Sequence, residues 1–260
     1  MSLASHGPVW DHIIVGGGSS GCVMANRLSA RSSNRVLLIE AGPDYLPGQE
    51  PDEIRDVYPY RAAFNPRWQW RDLQARLLTV PHNDPGRSSP KEYPQPRVIG
   101  GGSSTNGAIG NRGLPVDYDE WAALGASGWD WDGVLPFFRK LETDLDHDGP
   151  LHGADGPIMV SRVPEGQWPG FTAATVRAFG DHGHRNVGDQ NAVFEDGWFP
   201  LSLTIDRRQR STAAMGYLDF PTRARPNLTV RCDTTVDALV TEGRRVVGVR
   251  CGGTILRARR

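Results

Sequence analysis

Cysteine is scarce: Cys22, Cys232 and Cys251 are too few and too scattered for a disulfide framework or a closed zinc site. No stretch approaches the run of about 18 apolar residues that crosses a bilayer. The opening residues, Met1 to Pro8, lack both a basic n-region and an apolar h-region, so a cytoplasmic location is the expectation. An excess of charge of one sign is missing too. The 29 basic and 30 acidic side chains leave -1, which removes any whole-chain attraction to a polyanion. The one basic stretch, from Asp206 on, sets 12 arginines against 5 acids, but only Tyr217 and Phe220 could stack on bases. Nucleic acid is therefore not expected as a partner. No internal repeat is visible. What remains is a 260-residue chain, 38% apolar, long enough for a sizeable core.

Glycine and proline, 31 and 20 residues, punctuate the chain instead of forming a low-complexity tract, so many loops should join short elements. Trp10 to Val15 reads as a short buried strand, a helix should run from about Ser20 to Ala30, and Arg35 to Glu40 reads as a second strand. Two parallel strands with a crossover helix follow. Residues 43 to 97, rich in Pro, Arg and aromatics, suggest an extended excursion. The spacing of Trp121, Leu124, Trp129, Val134, Phe137, Phe138 and Leu141 predicts two short amphipathic helices broken at Gly125-Ala126-Ser127-Gly128. Strand-like runs follow at Ile158 to Val160, Phe199 to Ile205, Leu228 to Val230 and Val246 to Val249.

Gly16-Gly17-Gly18-Ser19-Ser20-Gly21 satisfies G-x-G-x-x-G, a weak signal until its context is added. Here the loop leaves an apolar strand, opens a helix, and is followed by Glu40 at the end of the next strand. Gly16 permits the tight turn, Gly18 admits a pyrophosphate to the backbone, and Gly21 allows helix and strand to pack closely. The helix N-terminus offers N–H groups to phosphates. Glu40 would accept ribose hydroxyls and repel a 2′-phosphate, which disfavours NADP. The motif alone does not separate FAD from NAD. A second glycine cluster, Gly100 to Gly107, lies where a simple nicotinamide-binding fold needs none. Its successive N–H groups suit an anion nest or a flat ring.

The ordered motifs resemble the glucose-methanol-choline (GMC) family of FAD-dependent oxidoreductases. They comprise the loop with Glu40-Ala41-Gly42-Pro43, the Gly100 to Gly113 segment, Asp117 to Trp121, Gly128 to Trp131, Val134-Leu135-Pro136, His152-Gly153, Asp155-Gly156-Pro157 and Arg225 to Leu228. The resemblance implies an α/β fold: a Rossmann-type FAD-binding domain built from separated segments, plus the start of an α+β substrate-side sheet domain. On this reading residues 9–145 are the first FAD-binding segments, 150–210 a partial substrate-binding domain, and 211–260 a truncated return segment. Gly16, Gly18, Ser19, Ser20 and Gly21 would hold the FAD pyrophosphate and Glu40 the adenosine ribose. Gly102, Asn106, Gly107, Ala108 and Ile109 would lie beside the flavin, and Val236 would present its backbone to the adenine.

The expected chemistry is oxidation of the CH–OH group of a small alcohol, with reduced flavin passing electrons to oxygen or another acceptor. Pro96, Thr105 and Gly110 depart from the family's first signature. Thr105 stands where some relatives carry a flavin-linked histidine, so non-covalent FAD is implied. The family's catalytic His-His or His-Asn pair belongs to a later segment, and no residue here is assigned as catalytic. The chain therefore resembles an N-terminal portion. Two alternatives are an FAD- or ADP-binding fragment without turnover and a hydroxynitrile lyase. Which alcohol, which acceptor and which oligomeric state stay open.

Several rival sites are weaker. Asp144, Asp146, Asp148, Gly149 and Asp155 fit a calcium loop of the EF-hand kind, but Asp replaces the bidentate Glu, and Gly156-Pro157 forbids the exiting helix. A solvated acidic loop is expected instead. His182-Gly183-His184 reads as a surface turn rather than a metal site, and no metal is assigned. Cys22, which the helix N-terminus could activate as a thiol, reads instead as a small buried residue against the sheet, and Tyr58, Tyr60, Trp68 and Trp70, which could line a substrate path, read as ordinary packing.

Overall fold

The computed structural model describes residues 9–76 and 89–259. The opening octapeptide and residues 77–88 of the Pro-rich excursion lie outside the described residues. The chain divides into two compact units. The first comprises residues up to 54, 59–106 and 213 onward; the second comprises 55–58 and 107–212.

In the first unit, β1 (His12–Val15), α1 (Ser19–Ser29) and β2 (Val36–Ile39) form the expected strand-helix-strand unit. β1 pairs parallel to β2 with His12 opposite Val36, and β2 pairs parallel to Leu228–Arg231 with Val36 opposite Leu228. A mixed α/β fold is thus assembled from segments nearly 200 residues apart in sequence. All four residues of β2 are buried, as a parallel strand covered on both faces must be. One cover is α1, whose buried face is the small stripe Gly21, Cys22, Ala25, Asn26 and Ser29. Asn26 is fixed there by donating to Tyr217 O at 2.9 Å and Thr222 Oγ1 at 2.8 Å. On the other side Trp10, Leu37, Ile39 and Val249 make a core with the antiparallel sheet of Ala238–Glu242, Arg245–Cys251 and Thr254–Arg257. Burying each Leu or Ile side chain contributes about 1.5–3 kcal/mol.

The excursion after residue 43 is more structured than its pattern suggests. Short helices at Asp52–Arg55 and Tyr60–Ala63 flank a small core of Ile54, Ala62, Trp68 and Val98. Asp44 ties this segment to Arg223 through a two-pronged ion pair of 2.7 and 2.8 Å.

In the second unit the two expected helices are Pro115–Ala123 and Trp131–Leu141. Tyr118 joins them, its ring 5.8 Å from Trp131 and 5.7 Å from Phe138. Glu142–Asp144 then pairs parallel to Ile158–Val160. The expected strand at Phe199 to Ile205 is instead a series of isolated bridges: Leu203 pairs with both Ile109 and Ser161, and Ile205 with Arg210. Pro200 supplies no N–H to a ladder there. A helix at Gly170–Asp181 was not expected, and none of its residues is buried. Residues 107–145 fall in the second unit together with residues 146–212.

Candidate functional site

The glycine turn is held open from beneath. Gly16 donates to Ile39 O at 2.7 Å, which hangs the turn on the end of β2. Gly21 lies so close to Gly16 O that any Cβ would collide with it, which explains a glycine at the helix's first turn. No side chain caps the α1 N-terminus and its first turn contains no acid. Its leading N–H groups are therefore left for an external acceptor.

Glu40 is 6% exposed and fixed at every polar atom. Its Oε2 accepts from Gly17 N at 2.7 Å and its Oε1 from Gly42 N at 2.8 Å. Its own N–H donates to Arg231 O and its carbonyl accepts from Thr234 N, both at 2.9 Å. Each carboxylate oxygen keeps a lone pair for a further donor. The second glycine cluster sits directly on the first: Gly100 donates to Gly17 O at 2.7 Å, and a Cβ at Gly101 would come 2.6 Å from Gly18 Cα. Gly101 also has φ +52°, so a side chain is excluded twice.

A cavity of about 470 Å³ opens at this junction, within the size range of small-molecule sites. Gly16, Gly18, Glu40, Gly102 and Val236 all line it. A Cβ built at Gly16 or Gly102 meets nothing within 4 Å, so the wall is bare backbone facing open space. Ser19 and Ser20 are exposed in the first turn of α1. Asn106 is exposed at the end of the short helix Gly102–Thr105. Gly107, Ala108 and Ile109 belong to the second unit. Thr105 is 5% exposed.

Sequence reasoning missed Leu73, Thr234 and Thr235 in the cavity wall and favoured ordinary packing for Trp70, which also lines it. Trp70 carried no signal beyond its ring, and Arg97 covers it at 5.2 Å. Trp68, by contrast, is packing, as expected, with no exposure. Cys22 is buried and donates to Gly17 O at 3.2 Å, and burial pushes its thiol up to about 12. It is inert by that measure. His182 and His184 lie exposed at the end of their helix.

The acidic loop is solvated at Asp146, Asp148 and Asp155 but not at Asp144, a correction to the expectation. Asp144 belongs to a buried cluster with Glu142, Asp189, His152, Arg162 and Arg112. His152 Nε2 lies 2.7 Å from Asp189, and its Nδ1 lies 3.2 Å from both Glu142 and Asp144. Glu142, Asp144 and His152 offer atoms within 4.8 Å of one another. However, the two carboxylates already accept from Arg112 and Arg162 at 2.5 Å, and a dication would face both guanidinium charges. Three carboxylates against three cations is a balanced ion cluster.

Its titration has a definite sign. Hydrogen bonds from His152 to Asp144, Asp189 and Glu142 raise the imidazole to about 11. Unfolded, it returns to about 6.5, so between these values the native state binds one more proton. Stability therefore falls as pH rises through that window, by at most about 1.4 kcal/mol per pH unit. Burial opposes ionisation of Asp144 and Asp189, but His152 and Arg162 hold both below the usual range. Their contribution is present above about pH 4 and is lost on further acidification. Urea midpoints should decline from pH 7 to pH 8 in the parent and stay nearly level in His152→Gln, a window that lies below the ionisation of unfolded thiols. A parent midpoint as level as the variant's would contradict this.

A parallel sheet, a glycine-turned helix and a backbone-walled cavity define a mixed α/β protein built on a strand-helix-strand unit. The sequence model of the GMC oxidoreductase family matches residues 10–255, and the chain belongs to that family. It is 47% identical over 255 residues to the 5-(hydroxymethyl)furfural oxidase of Methylovorus sp. (strain MP688), covering 96% of this chain and 47% of that protein. It is 34% identical over 253 residues to the mitochondrial choline dehydrogenase of Homo sapiens, covering 92% and 40%. The crystal structure of pyridoxine 4-oxidase from Mesorbium loti superposes with a TM-score of 0.80 at 30% identity, covering 96% and 48%. The chain spans less than half the length of each of these relatives. Among the described residues, no helix is long and apolar enough to cross a membrane.

Proposed function

We propose that this chain binds FAD non-covalently and forms the cofactor-holding portion of an oxidoreductase that converts the CH–OH group of a small alcohol to a carbonyl. The observation that carries the reading is the open wall of bare backbone at Gly16, Gly18 and Gly102, set between an uncapped helix N-terminus and the fixed carboxylate of Glu40. The names of the relatives, oxidases and dehydrogenases of alcohols, support the reaction class. The N–H groups of Ser19, Ser20 and Gly21 would bind pyrophosphate, and Glu40 the ribose. By the family resemblance Gly102, Asn106, Gly107, Ala108 and Ile109 would lie beside the flavin, and Val236 would present its backbone to the adenine. When bound, the flavin supplies the hydride acceptor. Buried Thr105 cannot form a histidyl-type link to it, so the cofactor dissociates.

Because the chain spans less than half of its relatives and holds no assigned base, a second reading is binding without turnover. Titration with FAD and with ADP tests binding, and anaerobic bleaching of bound flavin by small alcohols tests the chemistry. Gly18→Ala isolates the site. A Cβ there lies 3.9 Å from its nearest neighbour, Gly101 Cα, so the fold should hold within about 0.5 kcal/mol. The methyl group would stand in the phosphate's approach and weaken ADP and FAD binding by more than about tenfold. Unchanged affinity in Gly18→Ala, or no affinity in the parent, would refute the assignment.

A further inference from the structure

Two tryptophans of the first unit, two residues apart, have opposite surroundings. Trp68 has no exposed surface and joins Ile54, Ala62 and Val98 in a small core, with Arg67 at 4.4 Å over its ring. Trp70 is 37% exposed and lines the cavity at the glycine turns together with Gly16, Gly18, Glu40 and Val236. All of these residues belong to the same compact unit. Among the described residues of the cavity wall, Trp70 is the only aromatic one. It is therefore the one π face that the wall can offer to a flat ring.

Trp70 is carried on an arm. Residues 68–75 run antiparallel to 91–97: Arg97 N donates to Trp68 O at 2.7 Å, Trp70 N to Gln95 O at 2.8 Å and Tyr93 N to Leu73 O at 2.9 Å, and Gln74 lies opposite Glu92. The base of this arm is pinned to the chain that leaves Glu40. Arg97 Nε donates to Ala41 O at 3.1 Å, and Ile99 N donates to Pro43 O at 3.1 Å. Gly42 lies so close to the Arg97 backbone that any Cβ would collide with it. Trp70 is thus fastened to the end of the cavity where the Glu40 carboxylate is held.

Arg97 also fixes the ring. Its guanidinium lies 5.2 Å from the indole centroid, so one face of Trp70 meets a cation and the ring is held in one orientation. An indole preset in this way loses little freedom on meeting a second flat group.

We propose that Trp70 is the stacking partner of the adenine in this cavity, with Arg97 as the residue that presets its ring. This rests on the functional reading that sets an adenosine ribose on Glu40. The base is joined to that sugar, and the arm is pinned to the same end of the cavity. Stacking on an aromatic side chain contributes about 5- to 150-fold in affinity per base, and it asks for a π face and no matching hydrogen-bond edge.

The test titrates ADP into the parent, Trp70→Phe and Trp70→Leu by calorimetry and records tryptophan emission in parallel. Leucine restores apolar bulk without a π face, whereas phenylalanine keeps a smaller one. ADP affinity should fall about tenfold in Trp70→Leu and by no more than about threefold in Trp70→Phe. ADP should quench part of the parent's emission, and that part should be missing in both variants. If Trp70→Leu does not fold, loss of the quench in Trp70→Phe carries the test alone. Unchanged ADP affinity in Trp70→Leu overturns the proposal, as does an equal loss in the two variants, which marks a packing role. A quench that persists undiminished in Trp70→Phe also overturns it. A parent that binds no ADP refutes the functional reading itself and is recognised before any variant is compared.

Discussion

Arg162→Met should destabilise the second unit by about 3–5 kcal/mol, the loss expected when one partner of a buried ion pair is removed. The Arg162 side chain is 6% exposed and binds both oxygens of Asp144, at 2.5 and 2.6 Å, together with Asp189 and Ser202. Without it, three carboxylates face only Arg112 and His152, and one negative charge is left uncompensated away from water. Methionine fills much of the volume but answers none of the acceptors. The residual charge can be relieved only by protonating a carboxylate, so the deficit should shrink as pH falls from 7 towards 5. Arg162→Lys should recover less than half of the loss, because a point charge cannot span Asp144 and Asp189 as the planar fork does. Urea denaturation of parent and both variants at the two pH values is the measurement. A loss below about 1 kcal/mol in Arg162→Met would show that the cluster does not hold the second unit together.

Local pattern and long-range assembly were legible to different degrees. The strand-helix-strand unit could be read because β1, α1 and β2 each carry their signal within a few residues, and the glycines mark the turn between them. The third strand of the sheet was legible only as an apolar run. Nothing in Leu228–Arg231 states that its neighbour is β2, a pairing fixed by burial across nearly 200 residues.

Glu40 could be singled out from its distance to the glycine loop, and it lines the cavity there. Its role in holding Gly17 and Gly42 was not legible, since backbone partners leave no residue signature. The ion cluster was hidden for a further reason. Asp144 sits in a run of acids that reads as solvated, and its partners His152, Arg162 and Asp189 are spread over 37 residues of loop and short strand. Charge spacing along a chain reports neighbours only where a regular element sets the geometry.

Glu40→Ala should be the most damaging change to the first unit, because one side chain serves the fold and, on the proposed reading, the ligand as well. Its loss leaves the buried N–H groups of Gly17 and Gly42 without acceptors, at about 1–3 kcal/mol each. The Gly17 N–H sits inside the glycine turn, so the turn itself should loosen and carry Gly16 and Gly18 with it. The proposed ribose contact disappears as well, and ADP affinity should fall by at least about thirtyfold. Glu40→Gln separates the two roles. Its amide oxygen can still accept from one glycine, while its NH2 group turns a donor towards the other. Part of the stability should therefore return, and ADP binding should remain weak.

Gly18→Ala is the complementary case, with the fold kept and the ligand lost. Thermal unfolding and ADP titration on the three variants place each residue on one axis or both. ADP affinity within twofold of the parent in Glu40→Ala would remove the ribose contact from the proposal. Melting unchanged in the same variant would mean that the two glycine N–H groups find other acceptors, and that the turn is held by the Gly16–Ile39 and Gly100–Gly17 bonds alone.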